Sequence, residues 1–137
     1  MRYDSGMRIV GHGIDIVKIA RIARLCQEHE QRFVDRVFTS AERRYAEARK
    51  KRWFEHLAGR FAAKEAIFKV LGTGWTGGIA WCDAEIVPDI SGKPTVKVYG
   101  RCREVAQAMG INQWWVSISH TDEHATASAI GVDAGAP

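Results

Sequence analysis

No stretch of the sequence approaches the ~20 consecutive apolar residues that a membrane-spanning helix requires, so we predict no span. The N-terminal MRYDSGM is not followed by the apolar segment of a secretory signal, which favours the cytoplasm. Cys26, Cys82 and Cys102 are widely spaced and form no CxxC pair. They are typical of reduced thiols and argue against a disulfide framework or a zinc site.

The chain also lacks internal repeats, low-complexity segments and linkers. Its 137 residues predict a single domain over 1–137, in which 1–6 form an N-terminal extension and 133–137 a loose tail. Positive charge is only mildly in excess, since the sequence has 20 Lys and Arg against 16 Asp and Glu, which gives a net charge of +4. This excess suits an acidic partner such as a phosphorylated small molecule, an acidic protein or a nucleic acid, and it does not choose among them.

Hydrophobic periodicity and turn signals predict strands and helices in mixed order. We expect strands at 8–19, 80–87, 95–98, 114–120 and 125–132, and helices at 20–38, 40–50, 52–71 and 101–109. The first strand has the composition of one buried on both faces. Thr39 and Glu42 predict a capping box at the start of the second helix. Because helices and strands do not alternate regularly, we expect one compact α+β domain, with a mixed or antiparallel sheet packed against the long helix.

The long helix at 52–71 carries an acid on its apolar side. Glu65 follows Phe61 by four residues and precedes Phe68 by three, so it lies on the stripe that should face the core. Burial of an unpaired carboxylate is costly, so a cation is expected beside it. An i,i+4 pair with Lys69 is the alternative, and this helix alone does not decide between them.

A second acid, Asp15, interrupts the apolar strand at 8–19. Gly11 and Gly13 before it permit the close approach of another backbone or a ligand. A lone acid can also mark a bulge or an edge, but two acids in separate apolar elements suggest a shared ion. Carboxylates suit Mg²⁺, which takes one or two of them together with phosphate oxygens, whereas zinc would require His or Cys. Asp15 and Glu65 therefore predict a Mg²⁺ site that acts on a phosphate-bearing substrate.

Several groups near these acids are suited to phosphate. Arg60, Lys64 and Lys69 lie on the long helix, and the backbone N–H groups of 72–74 follow its end. The same glycines are equally typical of a plain helix C-cap. His120 ends a predicted strand, where a His is more often structural, but its surroundings favour a phosphate or adenine contact.

Taken together, these motifs resemble the holo-acyl-carrier-protein synthase family. The resemblance covers about residues 7–132, and its motifs are GIDI at 13–16 leading to Arg21, FTSAE at 38–42, GRFAAKEAIFKVLGTG at 59–74, SGKP at 91–94 and VSISHT at 116–121. The long helix motif is highly specific, whereas GIDI or SISH alone would be weak signals. The resemblance implies a 4′-phosphopantetheinyl transferase of the short, homotrimeric type, with active sites between subunits. Such an enzyme serves fatty acid biosynthesis by transferring phosphopantetheine from coenzyme A to a serine of apo-acyl carrier protein, and it releases adenosine 3′,5′-bisphosphate.

The resemblance also implies roles for individual residues. Asp15 and Glu65 would bind a Mg²⁺ ion that bridges to the pyrophosphate of coenzyme A, and Lys69 would stabilise the leaving phosphate. Contacts to the 3′-phosphate and adenine are implied for a larger set, namely Arg60, Lys64, Gly72, Thr73, Gly74, Lys93, His120 and Thr121. Arg21 and Arg24 would face the acidic carrier protein. The general base stays open between Glu65 and a water molecule.

Two other functions stay open on the sequence. An inactive relative would bind coenzyme A without transfer, although the expected acids and lysines are all present. A nucleic-acid-binding module would use the basic surface and the five Trp residues. That function leaves Asp15 and Glu65 unexplained, and no RNP-like or helix-turn-helix pattern supports it.

Overall fold

The computed structural model describes residues 6–72 and 78–135, apart from the side chain of residue 30. Its strands are β1 (Arg8–Lys18), β2 (Ala84–Pro88), β3 (Pro94–Val98), β4 (Gln113–His120) and β5 (His124–Asp133). Its α-helices are α1 (Ile19–Val37), α2 (Ser40–Glu47), α3 (Trp53–Leu71) and α4 (Gly100–Ala108), with short 3-10 turns at Lys50–Arg52 and Trp81–Asp83. The predicted α+β class is confirmed. The predicted extension lies outside the described residues except for residue 6, and the predicted tail does so only at 136–137, whereas Asp133 belongs to β5.

The strands form one antiparallel sheet in the order β1-β5-β4 and a separate antiparallel hairpin of β2 and β3. Across the sheet, Asp15 of β1 pairs with Ala127 of β5, and Ala127 pairs with Ile118 of β4. β1 and β4 are therefore the two edges, with β5 between them.

Helix α3 crosses one face of this sheet from one edge toward the other. Gly59 in its first half contacts Ile118 of β4, while Ala66 in its second half lies against Gly13 of β1. A Cβ atom at Gly13 would overlap the carbonyl oxygen of Ala66, so the two backbones are in direct contact. The residues of β5 beneath the helix are all small and buried, namely Ala125, Ala127, Ala129 and Gly131. Small residues on both surfaces thus set the depth at which α3 lies on the sheet.

The prediction that β1 is buried on both faces is wrong. Gly13 and Val17 lie on the covered face, whereas Ile14 and Ile16 on the opposite face are 60% and 67% exposed. The strand register places Trp115, which is 43% exposed, on that same face. We call this surface the open face. Both faces of β1 carry Ile or Val, which is why its sequence predicted burial on both. Helix α3 covers only one of them.

The buried surface of helix α3 extends around more of its circumference than the predicted apolar stripe does. Ala63 and Lys64 lie beside the stripe and are also buried. α1, α2 and β2 contact the sides of α3 that the sheet does not reach. The many alanines of α3 permit this, because a short side chain lets a neighbouring element approach from any direction.

Two local signals in the sequence are confirmed. The Thr39 hydroxyl accepts the N–H of Glu42 at 3.2 Å, and Glu42 Oε1 accepts the N–H of Thr39 at 2.8 Å, which completes the capping box of α2. Gly72 ends α3 in the left-handed conformation, with φ of +75°. The three cysteines are free thiols, as expected.

Membrane insertion finds no support in the helices of 6–72 and 78–135. None of them has the length and hydropathy that a bilayer span requires.

Substitution of Gly13 by Ala should destabilise the fold, because the new methyl group meets a backbone carbonyl of α3 that cannot rotate away. We expect the free energy of unfolding to fall by about 3 kcal/mol, the upper end for overpacking substitutions. Urea denaturation followed by circular dichroism measures this change.

Gly59→Ala is the matched control. Its Cβ would lie 2.9 Å from Cγ2 of Ile118, a side-chain methyl group that can shift. The better helix propensity of Ala offsets about 1 kcal/mol of any strain there. Equal losses in the two variants would contradict the backbone contact assigned to Gly13.

Candidate active site

Two carboxylates lie together at the β1 edge of the sheet. Asp15 is in the middle of β1 on the covered face, and Glu65 is on the part of α3 that packs beside it. Burial raises the pKa of Glu65, and the negative charge of Asp15 raises it further. The structure thus brings together the two acids that the sequence singled out, and we call them the carboxylate pair.

Lys69 lies beside the carboxylate pair. Its Nζ donates to the carbonyl oxygen of Ile14 at 2.8 Å and to Asp15 Oδ1 at 3.2 Å. Its positive charge partly offsets the raised pKa of Glu65. The ion pair of Lys69 is therefore with Asp15 on the neighbouring strand, rather than with Glu65 on its own helix.

The donors of the carboxylate pair fit a hard divalent cation. Among residues 6–72 and 78–135, no three His, Cys, Asp or Glu side chains converge into one metal-binding group. Two carboxylates are nevertheless the usual protein contribution to a Mg²⁺ site, where water and substrate phosphate fill the other positions. The negative charges of Asp15 and Glu65 repel each other, and a cation bound between them would relieve this repulsion.

A groove of about 390 Å³ begins at Glu65 and runs between α1 and α3. Its apolar lining residues are Leu25, Phe33, Val37, Phe61 and Trp81, and its basic ones are Arg21, His29, Arg32 and Arg36. Arg21 is close enough to Glu65 to lower that residue's pKa. Arg24 points to solvent, where its contact with Glu28 is a long one of 3.9 Å.

A second group of side chains lies at the opposite edge, where β4 ends near the first turns of α3. His120 Nδ1 is 3.5 Å from Glu55 Oε2, and the rings of His120 and His56 are 6.3 Å apart. His56 contacts Tyr45 edge to face at 5.2 Å, and the Arg60 guanidinium carbon lies 4.0 Å from the centre of the Tyr45 ring. We call these five residues the His–Arg cluster. It contains two of the predicted phosphate contacts, Arg60 and His120.

His56 is neutral near pH 7 within this cluster. Burial, followed by the positive charges of Arg60 and Arg49, lowers the pKa of His56 to about 4. A neutral imidazole adds no further positive charge to a group that already contains arginine. The cluster can therefore be held together without a bound anion.

The predicted phosphate contact of Lys64 is wrong. Lys64 is fully buried, and its Nζ lies 2.9 Å from Glu42 Oε1. It also donates to the carbonyl oxygens of Trp81 and Ala84, at 3.2 and 2.5 Å. These three acceptors occupy all three N–H groups of the ammonium, so none is left for a ligand. Sequence spacing along α3 could not show this, because the acceptors belong to other elements.

The glycine-rich segment after α3 is described only at its start. The N–H of Gly72 donates to the carbonyl oxygens of Phe68 and Lys69, at 3.0 and 3.2 Å, so it serves as a helix cap. Thr73 and Gly74 lie outside the described residues, and their predicted phosphate contacts stay predictions.

Lys93 and Thr121 lie apart from the carboxylate pair. Lys93 is exposed on the turn between β2 and β3, beside a groove that Trp115 and Ser117 also line at the open face. Thr121 follows His120 directly, and its hydroxyl accepts the N–H of His124 at 3.1 Å. Thr121 therefore shapes the turn that presents His120, and its predicted contact with the cofactor stays a prediction.

Sequence reasoning missed three members of the His–Arg cluster. Tyr45 follows Glu42 by three residues, so the capping box already indicated which face of α2 it occupies. His56 precedes Arg60 by four residues and therefore lies on the same face of α3. Glu55 had no comparable signal, since its contact with His120 depends on the tertiary position of β4.

The carboxylate pair and the His–Arg cluster are two separate groups of side chains within the chain. Glu55 and Glu65 are ten residues apart on α3, which is about 15 Å along a helix. Asp15 and His120 lie on the two edge strands, about 10 Å apart across the sheet. The helix itself lies over the sheet between them.

Comparison with known proteins identifies a family for this arrangement. A family model described as the 4′-phosphopantetheinyl transferase superfamily matches residues 11–129. A holo-[acyl-carrier-protein] synthase of Koribacter versatilis (strain Ellin345) is 44% identical over 122 residues, which are 89% of this chain and 97% of that protein. The similarity thus extends over nearly the whole length of both proteins.

Two solved structures share the fold. Plasmodium yoelii acyl carrier protein synthase with ADP bound is 33% identical and has a TM-score of 0.82, covering 96% of this chain and 98% of that one. A Bacillus anthracis holo-(acyl-carrier-protein) synthase in complex with coenzyme A (3′,5′-ADP) is 35% identical, with a TM-score of 0.75, and the coverage is 92% and 98%. These values mean that the order and packing of the elements are shared, as well as the motifs.

The lowered pKa of His56 makes stability depend on pH in a defined direction. The stability that neutral His56 provides is present above its ordinary pKa of 6.5 and is lost as pH falls toward its folded value of about 4. Across that window, wild type should lose about 1 kcal/mol relative to His56→Gln, a figure reduced for solvent screening. Urea unfolding of both proteins at a series of pH values measures the difference. His29→Gln on α1 is the control, and a pH-independent difference for His56→Gln would contradict a buried neutral imidazole.

Proposed function

Because this chain belongs to the 4′-phosphopantetheinyl transferase superfamily, as one of its holo-[acyl-carrier-protein] synthases, we propose that it transfers 4′-phosphopantetheine from coenzyme A to a serine of apo-acyl carrier protein in a Mg²⁺-dependent reaction. The observation that carries the proposal is the carboxylate pair with Lys69 beside it. The second product is adenosine 3′,5′-bisphosphate.

Asp15 and Glu65 would hold the metal ion. Both are oxygen donors, and the repulsion that raises the pKa of Glu65 favours a cation between them. When bound, Mg²⁺ would offset the negative charge of the coenzyme A diphosphate during transfer.

Lys69 supplies positive charge to the leaving group. Ile14 and Asp15 fix its ammonium in place, and its side chain is half exposed, so it keeps an N–H for a phosphate oxygen. The serine oxygen bonds to the β-phosphorus, and the bond from that phosphorus to the adenosine 3′,5′-bisphosphate oxygen breaks. Lys69 stabilises the charge that develops on this oxygen.

Glu65 accepts the serine proton in this mechanism. Its carboxyl is partly buried at the end of the groove, and the carboxylate oxygen that does not hold the metal is free to take the proton. The serine must therefore enter from the groove that opens at Glu65.

The His–Arg cluster suits the 3′-phosphate and adenine of coenzyme A. Arg60 offers a charged donor fork, and the imidazole rings of His56 and His120 offer surfaces for a base. His120 stands at the exposed end of this cluster. Lys93 and the N–H groups of 72–74 belong to other parts of the chain, and their contacts with coenzyme A stay predictions.

The groove between α1 and α3 suits the acidic carrier protein. Its floor is apolar and its rim is basic, a combination that favours both encounter and docking of an acidic helix. Arg21 lies at the Glu65 end of this groove, and Arg24 lies exposed on the same helix. A carrier bound here would present its serine to the carboxylate pair.

A homotrimer would bring the carboxylate pair of one subunit and the His–Arg cluster of another into one site. The open face exposes Ile14, Ile16 and Trp115, an apolar surface of the kind that subunit interfaces cover. Head-to-tail contacts close into a ring when the rotation between copies permits it. Each site would then combine the carboxylate pair of one copy with the His–Arg cluster of the next.

Transfer is tested directly with coenzyme A, Mg²⁺ and apo-acyl carrier protein. The intact mass of the carrier should increase by one phosphopantetheine group. Glu65→Gln should abolish transfer, and Lys69→Met should slow it about 100-fold or more, because each removes a charge that acts in the transition state. If several carrier proteins were tried and none gained mass, the proposal would be wrong, and the chain would instead be an inactive relative that binds coenzyme A.

Two controls separate metal binding and docking from chemistry. Mg²⁺ should raise the Tm of the wild type and leave that of Glu65→Gln unchanged, since only a folded site with both carboxylates binds it. Arg24→Glu should raise the KM for the carrier protein and keep kcat. A Mg²⁺-induced shift in Glu65→Gln equal to that in wild type would remove Glu65 from the metal site.

A shared site predicts complementation between inactive variants. Glu65→Gln and Arg60→Gln should each be inactive alone while keeping the wild-type circular dichroism spectrum. Hybrids co-expressed with two affinity tags, and purified through both, should regain activity, because about a third of the sites in such mixed rings pair two intact halves. Inactive hybrids would place both halves in one subunit, and a monomeric mass by light scattering would contradict the trimer.

A further inference from the structure

The ring of Tyr45 on α2 lies between two guanidinium groups. The Arg49 guanidinium carbon is 3.6 Å from the ring centre, and that of Arg60 is 4.0 Å from it. Two planar guanidinium groups this close to one ring centre would overlap on a single face, so they occupy opposite faces. His56 contacts the same ring with an interplanar angle of 85°. Tyr45 therefore holds three basic side chains around one ring.

Arg60 is the group in this arrangement with unused binding capacity. Its side chain is only 5% exposed, and its Nε has no hydrogen-bond partner among the described residues. A buried guanidinium normally finds an acceptor for each N–H. The face of the Tyr45 ring stabilises the charge, and the Tyr45 side chain also forms a hydrogen bond with Arg60, but neither contact satisfies Nε. Arg60 is thus held in place by its contacts with Tyr45, with one buried donor left unpaired.

Arg49 depends on the same residue in two ways. Its guanidinium stacks on the Tyr45 ring, and its Nη1 donates to the Tyr45 carbonyl oxygen at 3.0 Å. Without the ring, two like charges would face each other with nothing between them. The π-system attracts both cations and keeps them apart, which offsets their repulsion before a ligand arrives.

We infer that Tyr45 is a positioning residue for the coenzyme A phosphate, because its ring fixes the Arg60 guanidinium, and beside it that of Arg49, in the orientation that receives the anion. The inference rests on the proposed function, in which the His–Arg cluster binds the phosphate. Tyr45 acts through the arginines and has no part in the transfer step.

The position of Tyr45 is itself fixed by a neighbouring contact. Glu42 lies three residues before Tyr45 on α2, and Lys64 lies four residues after Arg60 on α3. The buried Glu42–Lys64 pair, at 2.9 Å, is therefore the next contact along the same two helices. A Tyr45 substitution leaves that pair intact, so the effect of the ring can be measured in a folded protein.

The test compares Tyr45→Leu with Tyr45→Phe in the full chain. Loss of the ring should raise the KM for coenzyme A about tenfold, which lies between the effects of an exposed and a desolvated cation–π contact, and weaken binding of adenosine 3′,5′-bisphosphate by a similar factor in calorimetry. Tyr45→Phe keeps the ring and should retain most of the affinity. The kcat and the KM for the carrier protein should change by less than about twofold in both variants.

Tyr99→Leu is the matched control, because Tyr99 is exposed and its hydroxyl donates to Glu85 Oε1, at 3.0 Å, rather than to a member of the His–Arg cluster. It should leave the KM for coenzyme A unchanged. If Tyr45→Leu does not fold, Tyr45→Met keeps an unbranched apolar side chain and replaces it in the comparison.

Three results would overturn the inference: a wild-type KM for coenzyme A in Tyr45→Leu, an equal loss in Tyr45→Phe, or an equal rise in the KM for the carrier protein. Failure of the proposed function looks different, because the wild type itself would then transfer no phosphopantetheine. The calorimetric comparison does not depend on transfer, so weaker binding of adenosine 3′,5′-bisphosphate by Tyr45→Leu would still support the role of the ring.

Discussion

The buried ion pair of Glu42 and Lys64 holds together the elements that position the candidate site residues. Both side chains are fully buried, with 2.9 Å between Nζ and Oε1. Glu42 also accepts the N–H groups of Thr39 and Ile86, each at 2.8 Å, so one carboxylate joins the start of α2, the middle of α3 and strand β2. Removal of one partner from such a pair generally costs about 3–5 kcal/mol, because the other charge is left buried. The three elements are therefore fixed relative to one another.

This constraint also sets the rotation of α3 about its own axis. With Lys64 directed toward α2 and β2, the next residue, Glu65, faces β1, and Arg60, one turn earlier, faces α2. The direct contact between Gly13 and Ala66 sets the distance to β1, so the Asp15 carboxylate can lie near Glu65 although its side chain is short. One helix thus carries Glu65 of the carboxylate pair and Arg60 of the His–Arg cluster, and its length fixes the separation of the two groups.

The sequence predicted well those features whose cause is local. The capping box and the cap at Gly72 depend on residues within a few positions of each other. The two acids that interrupt apolar elements lie together, as the cost of burying each alone suggested. Lys64 was misassigned because its burial depends on Glu42, which lies in another helix. Ile14 and Ile16 looked like core residues because a sequence records apolarity and not which surface covers it. Tyr45 was within reach, since its spacing from Glu42 fixes its side of α2.

The Glu42–Lys64 pair and the contact of Arg24 with Glu28 respond differently to ionic strength. Arg24 and Glu28 are both solvent-exposed, so dissolved ions screen their charges within about 8–10 Å at ordinary salt concentrations. The buried pair is inaccessible to those ions and keeps its full interaction. Added salt therefore slows the arrival of an acidic partner along α1, while the frame that holds Arg60 and Glu65 stays as it was.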